Sequence, residues 1–229
     1  MRGDAGLIQS LLSRKHSRGC SLSAFEFFFS FYGLLLGLSV AELVGGFSRV
    51  LHERHRVRFG WLTPLLALFV ALDLATFWNQ AWRFFRGAPF NPALLLIGLA
   101  IAATFYVAAS ITFPRVTAEG AEQRIDLDEH FWTHRGVVFS CVLAANAMVW
   151  LLLGLLALAD PAWAAFWTPR LLIGVCIFAV ATATAAFAPS RRIVVAALLI
   201  VLAYTLWNMV RAGAALIAEG AWLPAIGGG

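Results

Sequence analysis

The sequence predicts an all-α integral membrane protein, a bundle of six transmembrane helices with short loops. The 229-residue chain is 61% hydrophobic and only 13% charged, whereas soluble domains carry about 25% charged residues. Its mean hydropathy is +0.82. The apolar residues form six stretches, each long enough as a helix to cross the roughly 30 Å of a bilayer's hydrocarbon core.

The ends of the six predicted spans are marked by prolines, glycines and charged residues. The spans are residues 23–50, 64–86, 92–113, 129–158, 169–188 and 191–212. All eight prolines lie near span ends or in connections, so the broken helices of many transporters are not indicated. The loops are too short for a soluble domain, so residues 23–213 are expected to form one transmembrane domain, followed by a tail over 214–229.

The basic N-terminal arm, residues 1–22, has two interpretations. One is an amphipathic helix lying on anionic lipid, because its apolar residues share one helical face and basic residues follow. The other is a tail without regular structure that carries ordinary flanking charge. The apolar residues are Leu7, Ile8, Leu11 and Leu12, and the basic ones are Arg14, Lys15 and Arg18.

Polar residues before several spans are typical helix N-caps. Thr63 before Pro64 predicts the start of the second span, because proline suits the first helical position. Asn91 is expected to cap the third span and Asp128 the fourth. Thr168 before Pro169 repeats the pattern at the fifth span.

Asp73 lies near the middle of the second span, and we expect the rest of the bundle to be arranged around it. Its helix face also carries Thr76, Gln80 and Arg83, at i+3, i+7 and i+10. An acid at mid-membrane costs about 2.5–3.5 kcal/mol on insertion scales, so this face should be directed at protein or water and not at lipid.

A matching polar face occurs in the sixth span, where Tyr204, Asn208 and Arg211 are spaced i, i+4 and i+7. The second and sixth spans enter the membrane from the same side. Counted from the two entry points, Asp73 lies level with Tyr204, and Gln80 lies level with Arg211. If the helices pack, their polar faces form one lined seam.

The first functional hypothesis is a channel or transporter for an ion, proton or small polar solute that uses this seam. The alternative is structural: polar residues hydrogen-bond between helices, and the arginines extend to the interface. The candidate pathway residues are Asp73, Glu42, Thr76, Gln80, Arg83, Tyr204, Asn208 and Arg211.

A ridge of small residues in the first span supports a second hypothesis. Gly33, Gly37, Ala41 and Gly45 recur every four residues, a pattern that lets another helix backbone approach closely. The protein would then be a non-catalytic scaffold or interaction subunit that forms a homo-oligomer or binds a partner membrane subunit. The alternative is a glycine-rich helix face that contacts lipid.

Histidines support a third hypothesis, a metal-binding membrane enzyme or sensor. His52 and His55 are spaced i, i+3, His130 and His134 are spaced i, i+4, and their loops lie on one side of the membrane. A divalent metal is therefore a candidate cofactor. The alternative is interfacial, solvated histidines. No histidine lies within the apolar part of a predicted span, since the fourth span enters the membrane at about Val137, after His134, so no haem is expected.

No catalytic residues are assigned, and an enzyme is the less favoured class. The chain contains no phosphate-binding glycine loop, nucleophile elbow or zinc-protease motif. Cys20, Cys141 and Cys176 have no paired spacing, so no disulfide framework is expected.

The net charge of +5 suits lipid headgroups better than nucleic acid, because no loop carries a basic stripe with interleaved aromatics. We expect a bacterial inner (plasma) membrane protein with both termini cytoplasmic. This orientation rests on the basic N-terminal arm, because the positive-inside rule cannot separate the eight and nine Lys/Arg that fall on the two sides.

Overall fold

A computed structural model describes residues 24–85, 92–115, 124–164 and 166–218. The N-terminal arm, the Asn91 cap and the tail beyond residue 218 lie outside the described residues. The elements in chain order are α1 (Ala24–His52), β1 (Val57–Arg58), α2 (Leu62–Phe85), α3 (Pro92–Thr112), β2 (Ile125–Asp126), α4 (Leu127–Ala159), α5 (Pro161–Ala164), α6 (Pro169–Phe187) and α7 (Arg191–Ala218).

Six helices of the described chain, all except the short α5, are long and apolar enough to cross a membrane. This confirms the predicted all-α bundle of six spans. The largest difference in bounds is at α7, which continues to Ala218 where the prediction ended at residue 212. Residues 212–218 are mostly alanine, leucine and isoleucine, which favour helix and therefore extend it past the last polar residue.

Two predicted N-caps are wrong. Thr63 lies inside α2, and its buried hydroxyl donates to the carbonyl oxygen of Leu127 at 2.6 Å. Asp128 does not cap its own helix, because Asp126 occupies that position and accepts from the Asp128 amide at 2.9 Å. Asp128 instead accepts the Leu62 amide at 3.2 Å, so α4 supplies the cap of α2.

The N-cap of α6 follows the prediction. Thr168 accepts a hydrogen bond from the Leu171 amide at 3.2 Å, and Pro169 occupies the first turn. Proline costs nothing there because the amides of the first turn have no partner within the helix.

Two short strands join the loops at one end of the bundle. β1 and β2 pair in parallel, with Val57 opposite Ile125, and they were not predicted. The pairing holds the α1–α2 and α3–α4 loops side by side. We call this the strand end: α2, α4 and α7 begin there, and α6 ends there.

Helices α2 and α4 pack against each other at the centre of the bundle. The principal neighbours of α1 are α2 and α3, and α3 also contacts α4. On the other side, α6 packs on α4 and α7, and α7 packs on α2. Thus α2, α4, α6 and α7 form a ring in which each helix contacts the next.

Candidate functional site

A cleft of about 600 Å³ lies within the four-helix ring. Its walls come from α2, α4, α6 and α7, and its lining is mixed polar and apolar. The predicted pathway residues that line it are Asp73, Thr76, Gln80, Tyr204, Asn208 and Arg211. The contact between α2 and α7 therefore brings the two polar faces together.

Two predicted pathway residues do not belong to the described cleft. Glu42 pairs with Arg49 of the same helix at 3.1 Å, and both side chains are partly exposed. The expectation that Glu42 approaches the Asp73 seam is wrong because α1 packs on α2 and α3, while α6 and α7 form the opposite wall. The side chain of Arg83 lies outside the described residues.

Asp73 is buried, with 4% of its surface exposed, and it faces the bundle as its cost in lipid requires. Asn146 of α4 donates to Asp73 Oδ2 at 3.0 Å. The same amide group donates to the carbonyl oxygen of Val142 at 3.0 Å, which orients it. Tyr32 of α1 is near enough to interact electrostatically with Asp73.

Asn146 and Tyr32 are missing from the predicted site. Asn146 was recognisable as the one strongly polar residue of the apolar stretch 137–158, which marks a side chain in need of a hydrogen-bond partner inside the membrane. Tyr32 had no comparable signal, because it lies in an aromatic-rich segment typical of a membrane interface.

Aromatic rings close the cleft on the strand-end side of Asp73. Phe178 of α6 lines the cleft and stacks on Phe69 of α2, with ring centroids 6.0 Å apart. Phe69 also contacts Phe139 of α4 at 5.2 Å, and both are fully buried. These three rings leave Asp73 at the inner limit of the cleft.

The other limit of the cleft carries positive charge. Arg170 follows Pro169 at the start of α6, and Arg211 lies in the C-terminal part of α7. Both arginines line the cleft and are exposed. We call this the cleft end. Seven helical residues separate Tyr204 from Arg211, a rise of about 10 Å.

A close crossing of α6 and α7 shapes the wall of the cleft. The Tyr204 hydroxyl approaches Gly174 so closely that a side chain on Gly174 would overlap it. Gly174 is buried at this crossing, so glycine sets the position of the tyrosine at the level of Asp73.

Gln80 lines the cleft, and it also lines a small apolar pocket formed with α1, α3 and α4. Its Oε1 atom is buried and has no hydrogen-bond partner among the described residues. A buried amide oxygen without a partner is costly, but solvent does not reach this atom, so the cleft does not present it as an acceptor.

The histidines do not form the predicted metal site. His130 Nε2 lies 3.0 Å from the carbonyl oxygen of Ile111, and His134 Nδ1 lies 3.1 Å from that of His130. His52 Nδ1 likewise approaches the carbonyl oxygen of Ser48, and His55 is exposed. In the described ranges, no three His, Cys, Asp or Glu side chains are placed to hold a metal ion.

The small-residue ridge of α1 is divided between two environments. Gly33 lies under the Trp78 indole of α2, where a side chain would overlap the ring. Gly37 has open space around its Cβ direction, and Ala41 is exposed. The nearest atom to the Gly45 position belongs to Arg49 of the same helix. Only Gly33 of this ridge packs against another described helix.

No family model, curated protein or solved structure matches this chain. The six spans make it an integral membrane protein. The candidate functional site is the cleft, whose inner limit is a buried carboxylate and whose outer limit carries two arginines.

Proposed function

We propose that the protein is a channel or transporter for an ion, proton or small polar solute, with Asp73 as the principal binding group. The observation that carries the proposal is the position of this buried carboxylate at the inner limit of a cleft within the four-helix ring. Ionisable residues inside membranes are costly, and they commonly mark transport pathways and proton relays.

The hydrogen bonding of Asp73 supports a binding role. A carboxylate has two oxygens with about four acceptor positions. Asn146 donates one hydrogen bond, to Oδ2. The carboxylate therefore keeps capacity to accept from a cation, a proton or a donor group that enters the cleft.

The one-sided shape of the cleft favours a carrier over an open pore. Phe69, Phe139 and Phe178 fill the space between Asp73 and the strand end. A volume of about 600 Å³ is within the usual range for small-molecule pockets. A solute that reaches Asp73 would cross only after the packing of these rings changes, as alternating access requires.

Proteoliposome flux tests the proposal. Purified wild-type protein is compared with Asp73→Asn, which keeps the size of the side chain, and with Asp73→Ala. We expect both variants to lose flux of the transported species, while Glu42→Gln, which lies outside the cleft, keeps it. Flux that is unchanged in both Asp73 variants would remove this carboxylate from the mechanism.

A second candidate function is a scaffold that oligomerises through α1. It is favoured by the open space at Gly37 and the exposure of Ala41, which let another helix approach closely. Gly37→Leu should then dissociate the complex in mild detergent. Gly213→Leu is the matched control, because Gly213 of α7 also has open space. A complex that survives Gly37→Leu would contradict this function.

The cellular placement belongs to the same proposal. The protein resides in a bacterial inner membrane, and both termini are cytoplasmic, which puts the strand end outside the cytoplasm and the cleft end towards it. Single-cysteine labelling tests this orientation on a background without the native cysteines. Arg54→Cys is the strand-end probe and Arg170→Cys the cleft-end probe. Labelling of Arg170→Cys, and not of Arg54→Cys, by an impermeant reagent outside intact cells would show that the protein has the opposite orientation.

A further inference from the structure

We propose that the cleft binds a zwitterionic solute, with its ammonium group towards Asp73 and its anionic group towards Arg170 and Arg211. The inference rests on the proposed function, since it takes the cleft to be the solute site, and it names the class of solute. It is carried by the opposite charges at the two limits of the cleft.

The order of the charges argues against a solute with a single charge. A simple cation that enters from the cleft end passes two guanidinium groups before it reaches Asp73. A simple anion is attracted by the arginines but then meets a carboxylate. Among the described lining residues, Asp73, Arg170 and Arg211 are the charged ones. A solute with both charges, ammonium group inward, is complementary at each limit.

The two arginines are available to an anionic group. Arg49, Arg56 and Arg58 each form an ion pair with a carboxylate, and Arg135 donates to two carbonyl oxygens. In contrast, Arg170 and Arg211 form no ion pair or hydrogen bond with any described residue. Guanidinium groups are well suited to carboxylate and phosphate because they donate two parallel hydrogen bonds.

The side chain of Gln80 lies between the two charged limits. Gln80 is two helical turns beyond Asp73 on the same face of α2, and its buried Oε1 has no described partner. An ammonium group has three N–H donors, and amine-containing solutes often carry further N–H or hydroxyl donors. Gln80 Oε1 is buried from solvent in this packing, so it becomes an acceptor for such a donor only when the side chain turns towards the cleft.

The length of the cleft sets the range of solutes to test. Asp73 and Gln80 are separated by a helical rise of about 10 Å, and Arg211 lies near the level of Gln80. Arginine side chains are long and can reach inward, so the charge separation in the solute is shorter than this distance. A series of amino acids with increasing separation between amine and acid covers the range.

Calorimetric titration of the full chain in phosphatidylglycerol nanodiscs is the primary experiment. The zwitterionic probes are glycine, β-alanine, 4-aminobutyrate, 6-aminohexanoate and 2-aminoethyl phosphate. The single-charge probes are butylamine and butyrate. We expect the best zwitterion to bind about tenfold to a hundredfold more tightly than either single-charge probe, as for one additional charge-assisted hydrogen-bonded pair.

Variants that remove one charge test which group of the solute binds at each limit of the cleft. Arg170→Gln and Arg211→Gln should weaken the binding of the zwitterion and leave the binding of butylamine unchanged or tighter. Asp73→Asn should weaken the binding of both the zwitterion and butylamine. Arg49→Gln, an arginine of α1 outside the cleft, is the control and should change neither. The proposal is overturned if butylamine binds as tightly as every zwitterion, if no probe binds, or if both cleft arginine variants bind like wild type.

A free zwitterionic solute and a zwitterionic lipid headgroup are distinguished by changing the lipid of the nanodiscs. Nanodiscs that contain phosphatidylethanolamine present an ammonium and a phosphate in one headgroup. If this lipid competes with 2-aminoethyl phosphate, the headgroup is a ligand; if it does not, the ligand is a free solute. Both results support a zwitterion site, and the variants above must respond in the same way in either case.

The zwitterion proposal and the transport proposal can be refuted independently of each other. Arginine-dependent zwitterion binding without flux of any bound probe would refute transport and leave the zwitterion site. Asp73-dependent flux of a simple cation, with no preference for zwitterions in the titrations, would refute the zwitterion site and leave transport.

Discussion

The strand end and the cleft end of the four-helix ring use their polar groups differently. At the strand end, Arg135 of α4 donates to the carbonyl oxygens of Ala185 and Ala188 at 2.6 and 2.9 Å, near the end of α6. Thr63 of α2 donates to Leu127. These bonds join different helices. The two bonds from Arg135 satisfy carbonyl groups that the C-terminal end of α6 leaves without partners, and together with the Thr63 bond they hold the strand end together.

At the cleft end, the described polar side chains bond mainly within their own helix. Asn208 donates to the carbonyl oxygen of Tyr204 at 2.9 Å, and Thr168 caps its own helix. Apart from the bond between Asn146 and Asp73 at the inner limit, these side chains therefore do not join neighbouring helices across the cleft. The comparison teaches that bonds between helices hold the strand end together, whereas the cleft end has fewer such bonds and leaves the cleft open.

The largest expected loss of stability comes from removing one of the aromatic rings that close the cleft. Phe69→Ala removes a fully buried ring that contacts Phe139 and Phe178. We expect the free energy of unfolding to fall by about 3 kcal/mol, because packing contacts are lost and a cavity remains. Unfolding by sodium dodecyl sulfate in mixed micelles, followed by circular dichroism, measures it. Leu68→Ala, on the exposed side of α2, is the control, and equal losses would contradict the closure.

The next effect tests the polar bonds of the strand end. Arg135→Met should lower the free energy of unfolding by about 2 kcal/mol, because two charge-assisted hydrogen bonds to α6 are lost. The guanidinium also lies 5.0 Å from the Trp132 ring. Arg170→Met, at the other end of α6, should cause no measurable loss in the same assay. Similar losses of unfolding free energy in the two variants would contradict the difference between the strand end and the cleft end.

A smaller effect is expected at the crossing of α6 and α7. Gly174→Ala places a methyl group against the Tyr204 hydroxyl, so the helices or the tyrosine must shift, at a cost of about 1 kcal/mol. The double variant Gly174→Ala/Tyr204→Phe removes the hydroxyl and should recover most of the lost stability. If Tyr204→Phe gives no recovery, the steric explanation is wrong.

The smallest effect is the coupling between Asp73 and Asn146. A double-mutant cycle with Asp73→Ala and Asn146→Ala measures this hydrogen bond, because alanine removes the acceptor that an asparagine would keep. We expect an interaction of about 0.6 kcal/mol, the average for polar contacts between transmembrane helices. A parallel cycle with Glu42→Gln and Arg49→Gln reports a partly exposed pair on one helix. A coupling near zero for the Asp73 pair would show that Asn146 does not orient the carboxylate.

The sequence by itself determined which segments cross the membrane and which acid must be sheltered. Hydropathy and helical spacing are local properties, so the six spans could be predicted with small errors at their ends. The mid-membrane cost of Asp73 set the direction of its face, and equal depth predicted that α2 and α7 place Asp73 and Tyr204 at one level. Both line the same cleft.

Only the tertiary structure decided which neighbour satisfies each of these groups. It selected Asn146 as the partner of Asp73, directed Asp128 to the start of α2, placed Glu42 outside the cleft and closed the cleft with Phe69 and Phe178. A local pattern shows that a polar group needs a partner, but the partner is chosen by helix packing between residues far apart in the chain.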